Sequence, residues 1–474
     1  MSQSVGWRVG KDGQIHRKRL IQYPNGDVYD GEVVNGKRDG FGTLKTSKFT
    51  YIGSFEYGLI DGKNGVMIWN SFKENGVEVI GKKYEGSFKK GKKEGYGVLV
   101  DGKGYKYEGL WHFDKFNGKG ILARIDGIEL QEGVFVDGKL HCDQGKIRFQ
   151  NGDVYEGAVH FGSPHSTVAH ITYGYGTSSF SGQFNYGLKH GIGTRNYIDG
   201  STYRGYFHQN RIHGHGTMQF TNDNKAFKKY VGEWEDGFFH GEGELFYIDE
   251  SDVDYFKGGF MKGLYHGNGK LQYRDGGYYD GDFSALMEPL VSCKHGQGTR
   301  VWASGNKFEG TWQKDLMVEG RYFDKQHSST YVGSFVDDKK SGTEGREVWH
   351  SPNGETYYDP CMKWKHKGIE TCRYSGQYKF GYFHGRGKFS SQDGRSYDGE
   401  WKLGKQHGYG IAMLLSNYKK GNSNKMFIGR YGSLYKPIIY EGEWNEGCWH
   451  GKGKLTYPDG TIKEGTFVEG HLVK

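Results

Sequence analysis

Along most of this chain apolar and polar positions alternate with a period of two, and the alternating runs recur. Tyr84-Glu-Gly86-Ser-Phe88, Tyr107-Glu-Gly109-Leu-Trp111, Tyr203-Arg-Gly205-Tyr-Phe207, Tyr230-Val-Gly232-Glu-Trp234, Tyr397-Asp-Gly399-Glu-Trp401 and Tyr440-Glu-Gly442-Glu-Trp444 share one pattern. Looser copies begin at Tyr29, Tyr51, Tyr155, Phe180, Phe256, Tyr279, Phe308, Tyr331, Tyr374 and Phe427, and degenerate ones sit at Gly133 and Gly465. There are about 18 copies, and their commonest step is 23 residues. In each, the Tyr, Gly and second ring fall on one face of an extended strand.

A second segment, x-Gly-x-Gly, follows each clear copy, as in His190-Gly-Ile-Gly193 and His384-Gly-Arg-Gly387. Asn-Gly or Asp-Gly often precedes the next copy (Asn25-Gly26, Asp199-Gly200, Asp459-Gly460), a hairpin signal whose two turn positions both call for positive φ. Each repeat therefore reads as a β-hairpin. Rings on one strand are expected to lie over bare glycines of its neighbour. Glycine weakens strands, so this density implies a need for close approach.

Composition agrees. The 474 residues include 81 Gly, 36 Tyr, 29 Phe and 11 Trp; aromatics make 16% of the chain within a hydrophobic total of only 35%. That is too little aliphatic material for several ordinary cores and too many rings for a disordered chain. The net charge of +8 is mild for this length, so nucleic acid is not an expected partner. No apolar run reaches transmembrane length and the first residues lack a signal-like segment, which reads as a soluble cytosolic protein. Cys142, Cys293, Cys361, Cys372 and Cys448 form no CxxC, so reduced thiols are expected.

The Tyr-x-Gly-x-Trp and His-Gly-x-Gly segments at this period resemble the MORN repeat, over roughly residues 23 to 470. The structural repeat positions are typified by Tyr84, Gly86, Tyr107, Gly109, Trp111, Tyr230, Gly232, Trp234, Tyr397, Gly399, Trp401, Tyr440, Gly442 and Trp444. Hairpins and resemblance lead to the same fold: all-β, an elongated single-layer twisted antiparallel sheet with no helical domain. The spacing divides the chain into a lead-in (1–22), an array (23–336) with irregularities at 158–179 and 284–294, and an insertion (337–373). Repeats at 374–410, an insertion with a degenerate repeat at 411–439 and C-terminal repeats at 440–474 complete it.

Candidate chemistry is thin. Gly31-x4-Gly36-Lys37 and three similar segments imitate phosphate loops, but no Ser or Thr follows the Lys and no helix begins there. Of 20 histidines, eight (190, 213, 240, 266, 295, 384, 407, 450) hold the slot before Gly-x-Gly; this favours imidazoles bonded to turn backbone over a metal site, as it does for His160, His165 and His170. Glu85, Glu108, Glu156, Glu309 and Glu441 fall on the face opposite the rings, as a solvated row. No catalytic, cofactor or metal constellation emerges. Basic clusters occur at Lys89–Lys93, Lys225–Lys229, Lys363–Lys367 and Lys419–Lys425, ordinarily solvated loops. A regular array offers the same surface at every step, so partner recognition is expected where the period fails. Lys363, Trp364, Lys365 and Lys367, with Lys419, Lys420 and Lys425, are the candidate partner-binding residues.

The resemblance implies a non-enzymatic strut similar to radial-spoke-head and other axonemal or cytoskeletal MORN proteins, bound to protein partners, with an acidic, tubulin-like surface among them. The expected location is the cytoplasm and cytoskeleton, in a ciliary or flagellar axoneme. The alternative is a membrane tether on anionic lipid, as in junctophilins, which carry a C-terminal anchor; here repeats reach nearly to Lys474, leaving no room for an anchor or for the catalytic domains that some MORN proteins append. No cofactor is implied, and self-association is left open.

Overall fold

The structure is a computed structural model, which describes residues 7–9, 13–74, 77–79, 81–174, 176, 178–221, 223–287, 290–350, 356–358, 365–367, 371–391, 394–415 and 437–473. Among these there are strands and turns but no helix. Two compact units arise, Met1–Asp223 with Trp234–Gly237, and Asn224–Glu233 with Phe238–Lys474. Each is an antiparallel sheet of consecutive hairpins.

Register explains the glycines. Across neighbouring strands of the first unit, Gly86, Gly97, Gly109, Gly120 and Gly133 pair in turn. In the second, Gly387, Gly399, Gly410, Gly442, Gly453 and Gly465 do the same. The repeat rings lie on such pairs, except Tyr155, which covers Gly157 beside Ala169: a Cβ added to Gly86 would stand 2.5 Å from the Tyr84 hydroxyl and 2.5 Å from the Gly97 Cα. The expectation of rings over a neighbour's glycines is met, and the ring covers the glycine of its own strand as well. Twelve repeat tyrosines are fully buried.

Beyond the glycine pair the ladder bulges. Gly86 pairs with Gly97 but Phe88 with Lys93, so Ser87 faces three residues of the partner strand, among them Gly95 at φ +72°. The Tyr84 hydroxyl donates to the Ser87 carbonyl at 3.0 Å, and Tyr29, Tyr107, Tyr230, Tyr279, Tyr397 and Tyr440 repeat this bond at 2.8–2.9 Å. Opposite, a side chain three residues after the Tyr accepts from backbone in the bulge, as Phe41 N to Glu32 Oε2 at 3.2 Å and Arg386 N to Gln377 Oε1 at 3.1 Å. The indole N–H of Trp111 and Trp401 donates to the Gly97 and Gly387 carbonyls at 3.1 and 2.9 Å. Tyr397→Phe is accordingly expected to cost about 1 kcal/mol, and Phe308→Tyr to recover a similar amount, read by urea unfolding.

The rings then cover one another. Tyr84 meets Phe88 at 5.0 Å and Trp111 at 5.1 Å, both edge-on, and Tyr107 continues to Trp111 and Phe135 at 5.3 Å each. This edge-on geometry favours the ring quadrupoles. It accounts for a core with little Leu or Ile.

Several boundaries differ from the sequence reading. Ile15–Gln22 is a strand on Val28–Val34, because alternation continues into the supposed lead-in. Lys339–His350 pairs with both Ser329–Val336 and Thr371–Lys379, so most of the described part of 337–373 is regular ladder. Ser166–Tyr173 pairs on both sides with a register shift between Ser166 and Ala169, and 284–294 extends a long hairpin closed by Met287 and Leu290. Lys405–Leu415 pairs directly with Pro437–Asn445, while Phe427 lies outside the described residues. The turn types are also reversed. At Asn25-Gly26 only the Gly has positive φ (86°), with Tyr23 N bonded to Asp27 O at 2.8 Å; the turn with two positive residues is Asn35-Gly36 at the other strand end (47° and 80°). The phosphate-loop look-alikes end in these tight turns.

Candidate functional site

One position per repeat stands on top of the buried rings, and its chemistry changes along the chain. It pairs with the second ring of the motif, as Phe88 with Lys93, Trp111 with Phe116, Trp312 with Met317 and Trp401 with Gln406. In some repeats it is a ring lying flat on the repeat Tyr: Phe116 on Tyr107 at 3.8 Å, Phe383 on Tyr374 at 3.7 Å, Trp449 on Tyr440 at 4.7 Å. In others it is a cation: Arg38 at 5.2 Å over Phe55, Lys93 at 5.0 Å over Trp111, Lys294 at 5.6 Å over Trp312. Each unit therefore presents a ring face of constant geometry and varied chemistry.

Burial shifts two of the slot lysines. It lowers the Lys93 ammonium against the opposing pull of Asp114, and pushes Lys189 down to about 8, with the Arg195 charge adding to the effect. Lys189 stands 5.8 Å over Phe180 and donates to the Tyr173 hydroxyl at 3.0 Å. A folded-state pKa below the ordinary 10.5 means that the unfolded chain binds more protons above about pH 8, so stability from this group rises with pH there. Lys189→Met, a residue type the slot already holds at Met317, is expected to stabilise at pH 7. That gain should shrink between pH 8 and 10 in thermal melts.

The opposite face carries the predicted carboxylate row. Lys106 and Lys146 reach Glu108 and Glu156 at 2.6 and 2.8 Å, and Lys307 pairs with Glu309. These exposed pairs contribute little to stability. The histidine slot differs from expectation: its backbone carbonyl accepts a second, longer bond from the repeat Tyr (Tyr397 to His407 O, 3.4 Å), whereas the Nδ1 atoms of His384 and His407 are buried without a hydrogen-bond partner. His160 and His165 stack at 4.6 Å with His141 next in line at 5.0 Å, but His170 bonds elsewhere, to Ser181 and Thr172. Among the described residues no group of His, Cys, Asp or Glu has metal-holding geometry.

The MORN-repeat profile matches eleven segments between residues 29 and 462: 29–48, 84–104, 107–128, 180–202, 203–225, 230–251, 256–278, 294–307, 374–394, 397–412 and 440–462. The chain belongs to the MORN-repeat family. Hairpins at Tyr51, Tyr155, Tyr279 and Tyr331, outside those segments, share the buried ring and its carbonyl bond, so the array is longer than its best-matching MORN repeats. The chain is similar to alsin of Rattus norvegicus (30% identical over 157 residues) and of Homo sapiens (26% over 157 residues). Each match covers 28% of this chain and 9% of the relative. MORN repeats form a non-catalytic family that mediates protein or lipid interactions.

Of the residues expected to contact partners, Lys363, Trp364, Lys419, Lys420 and Lys425 lie outside the described residues of this MORN chain. Lys365 and Lys367 belong to the short strand Lys365–Lys367, whose backbone pairs with Thr356–Tyr358. The varied ring-face slot was missed. Its signal was the second residue after each tight-turn position, where Arg38, Lys93, Phe116 and Lys189 differ while the flanking glycines and rings stay fixed.

Proposed function

We propose that this MORN protein is a non-catalytic scaffold that binds partner chains along its ring face, with the slot residues selecting the partner. The observation that carries this reading is the contrast on that face between uniform backbone geometry and one chemically varied position per repeat. Stacked rings suit apolar side chains of a partner, and the partly desolvated Lys93, Lys189 and Lys294 suit its carboxylates, an acidic surface such as tubulin's included. A cytoplasmic, cytoskeletal setting, the ciliary axoneme foremost, fits such a strut. The lipid alternative leans on basic clusters, of which Lys89–Lys93 and Lys225–Lys229 are described and Lys419, Lys420 and Lys425 lie outside the described residues.

Photo-cross-linking tests it. A photoreactive phenylalanine at Phe116, Lys189 or Trp449 in the native cell is expected to trap a defined partner, and at Glu156 or Glu309 on the opposite face to trap none. Equal trapping from both faces would contradict the proposal.

A further inference from the structure

Hairpin tips of the first unit carry an unusual choice of residue. The first position of the tight turns in this unit has φ between +45° and +50°, which favours Asn or Asp, and Asn35 and Asp137 comply. Four other tips place Tyr57, Phe113, Phe161 and Tyr186 there, at φ 45–49°. They are 74%, 66%, 58% and 70% exposed. Phe161 and Tyr186 are splinted by His141 at 4.4 Å and His165 at 4.8 Å, which holds them outward without covering them. Backbone strain and solvent exposure of rings coincide at one edge of the sheet, which is the mark of a surface with a use.

The two edges of this unit also differ in charge. The ring-bearing tips carry Lys37, Lys89, Lys90, Lys92, Lys115, Lys139 and Arg211 against Glu56, Asp114, Asp137, Glu235 and Asp236; Lys92 engages Asp114 at 3.0 Å, Lys115 engages Asp137 at 3.1 Å and Arg211 engages Asp236 at 3.5 Å, which leaves Lys37, Lys89, Lys90 and Lys139 in excess. The described turns at the opposite edge carry Asp27, Asp101, Asp126, Glu129, Asp153, Asp199 and Asp223 against Lys48, Lys82, Lys103 and an Arg124 bound to Asp126. That acidic edge exposes Ile125 (65%) and Ile198 (77%). Phe113 and Tyr186 are three hairpins apart on the basic edge, and Ile125 and Ile198 are three hairpins apart on the acidic one. Three hairpins are six strands, about 29 Å in both cases.

We propose that the aromatic, basic tip edge docks on the acidic, isoleucine-bearing edge of a second copy of this chain, Phe113 and Tyr186 meeting Ile125 and Ile198. Equal hairpin spacing lets charges and apolar tips match in register. The contact is heterologous: each copy retains one free edge of each kind, and association is open-ended.

The test uses the full chain and two variants. The tip variant is Tyr57→Asn, Phe113→Asn, Phe161→Asn and Tyr186→Asn, which installs turn-favoured residues and is expected to melt at or above the wild-type temperature. The acidic-edge variant is Ile125→Ser with Ile198→Ser. Sedimentation of the wild type at low salt is expected to show mass growing with concentration beyond one 53.8 kDa chain, with association at least tenfold weaker in 0.5 M salt. Each variant alone should stay at one chain, and an equimolar mixture should give a terminated pair, because each supplies the edge the other lacks. A wild type that remains single, variants that associate unchanged, or a mixture that stays single would each overturn the proposal. So would a single-chain wild type that sediments with anionic vesicles through the same tips. None of these outcomes touches the ring-face slots, so partner trapping from Phe116 or Trp449 is judged separately.

Discussion

Gly232→Val is expected to lower the stability of its unit by about 3 kcal/mol, a fall of roughly 6–12 °C in melting temperature, whereas Glu233→Gln should change it by less than about 0.5 kcal/mol. A Cβ at position 232 would stand 2.5 Å from the Gly243 Cα, 2.6 Å from the Glu242 carbonyl oxygen and 2.7 Å from the Tyr230 hydroxyl. Two of these are backbone atoms of the facing strand, so relief requires the strands to part and the Tyr230 ring to lift. Glu233 is exposed, and its carbonyl, not its carboxylate, accepts the Tyr230 hydroxyl at 2.8 Å. An amide already serves at the equivalent position, where Gln377 accepts from Arg386 N. Comparable melting shifts for the two substitutions would remove the basis of the ring-on-glycine core.

The second large effect is expected at Glu347. It faces Tyr331 in the slot that Leu44, Leu99 and Leu455 fill opposite their own tyrosines. It is 4% exposed and gathers the Ser329 hydroxyl at 3.0 Å, the Tyr378 hydroxyl at 3.1 Å and the Lys340 ammonium. Burial, reinforced by the Glu347 charge, drives the Tyr378 phenol well above its ordinary range. Glu347→Ala leaves these donors without their acceptor and should cost about 3 kcal/mol. The triple change Glu347→Leu, Lys340→Met and Tyr378→Phe restores the apolar pattern of neighbouring repeats and should return to within about 1 kcal/mol of wild type. Urea midpoints compare the variants; a triple variant as weak as Glu347→Ala would show that the polar network is not interchangeable with apolar packing.

Tyr, Gly and Trp two residues apart were enough to read strands, shared faces and the hairpin repeat, because a period of two leaves no other regular structure. The bulge was hidden, since Gly86 and Phe88 keep that period on their own strand and the extra residues sit on the partner. The hydroxyl bond to the Ser87 carbonyl was hidden with it. Asn25-Gly26 carries the signature of a two-residue turn but closes a longer one, and the true two-residue turns include Tyr57 and Phe113, which no turn preference would select. Glu347 reads as surface by type, and only the position of Tyr331 across the ladder shows it buried. For partner binding, irregular segments drew notice over the array, whereas the variation at Arg38, Lys93 and Phe116 lies within the regular repeats.

The central claim is that each repeat tyrosine lies sealed on paired glycines, or on Gly157 beside Ala169 in the case of Tyr155, with its hydroxyl given to a backbone carbonyl. Tyrosine labelled at ring carbon ζ, followed by NMR from pH 8 to 11.5, tests it most directly. Burial pushes Tyr51, Tyr107, Tyr155 and Tyr440 up to about 12, and Tyr29, Tyr84, Tyr203, Tyr230, Tyr279, Tyr331 and Tyr397 higher still. The account predicts that the twelve repeat tyrosines, with Tyr265 and Tyr378 besides, remain largely un-ionised at pH 11 while the sheet is intact; ionisation of all labelled tyrosines as one class near pH 10, with the fold unchanged, would contradict it.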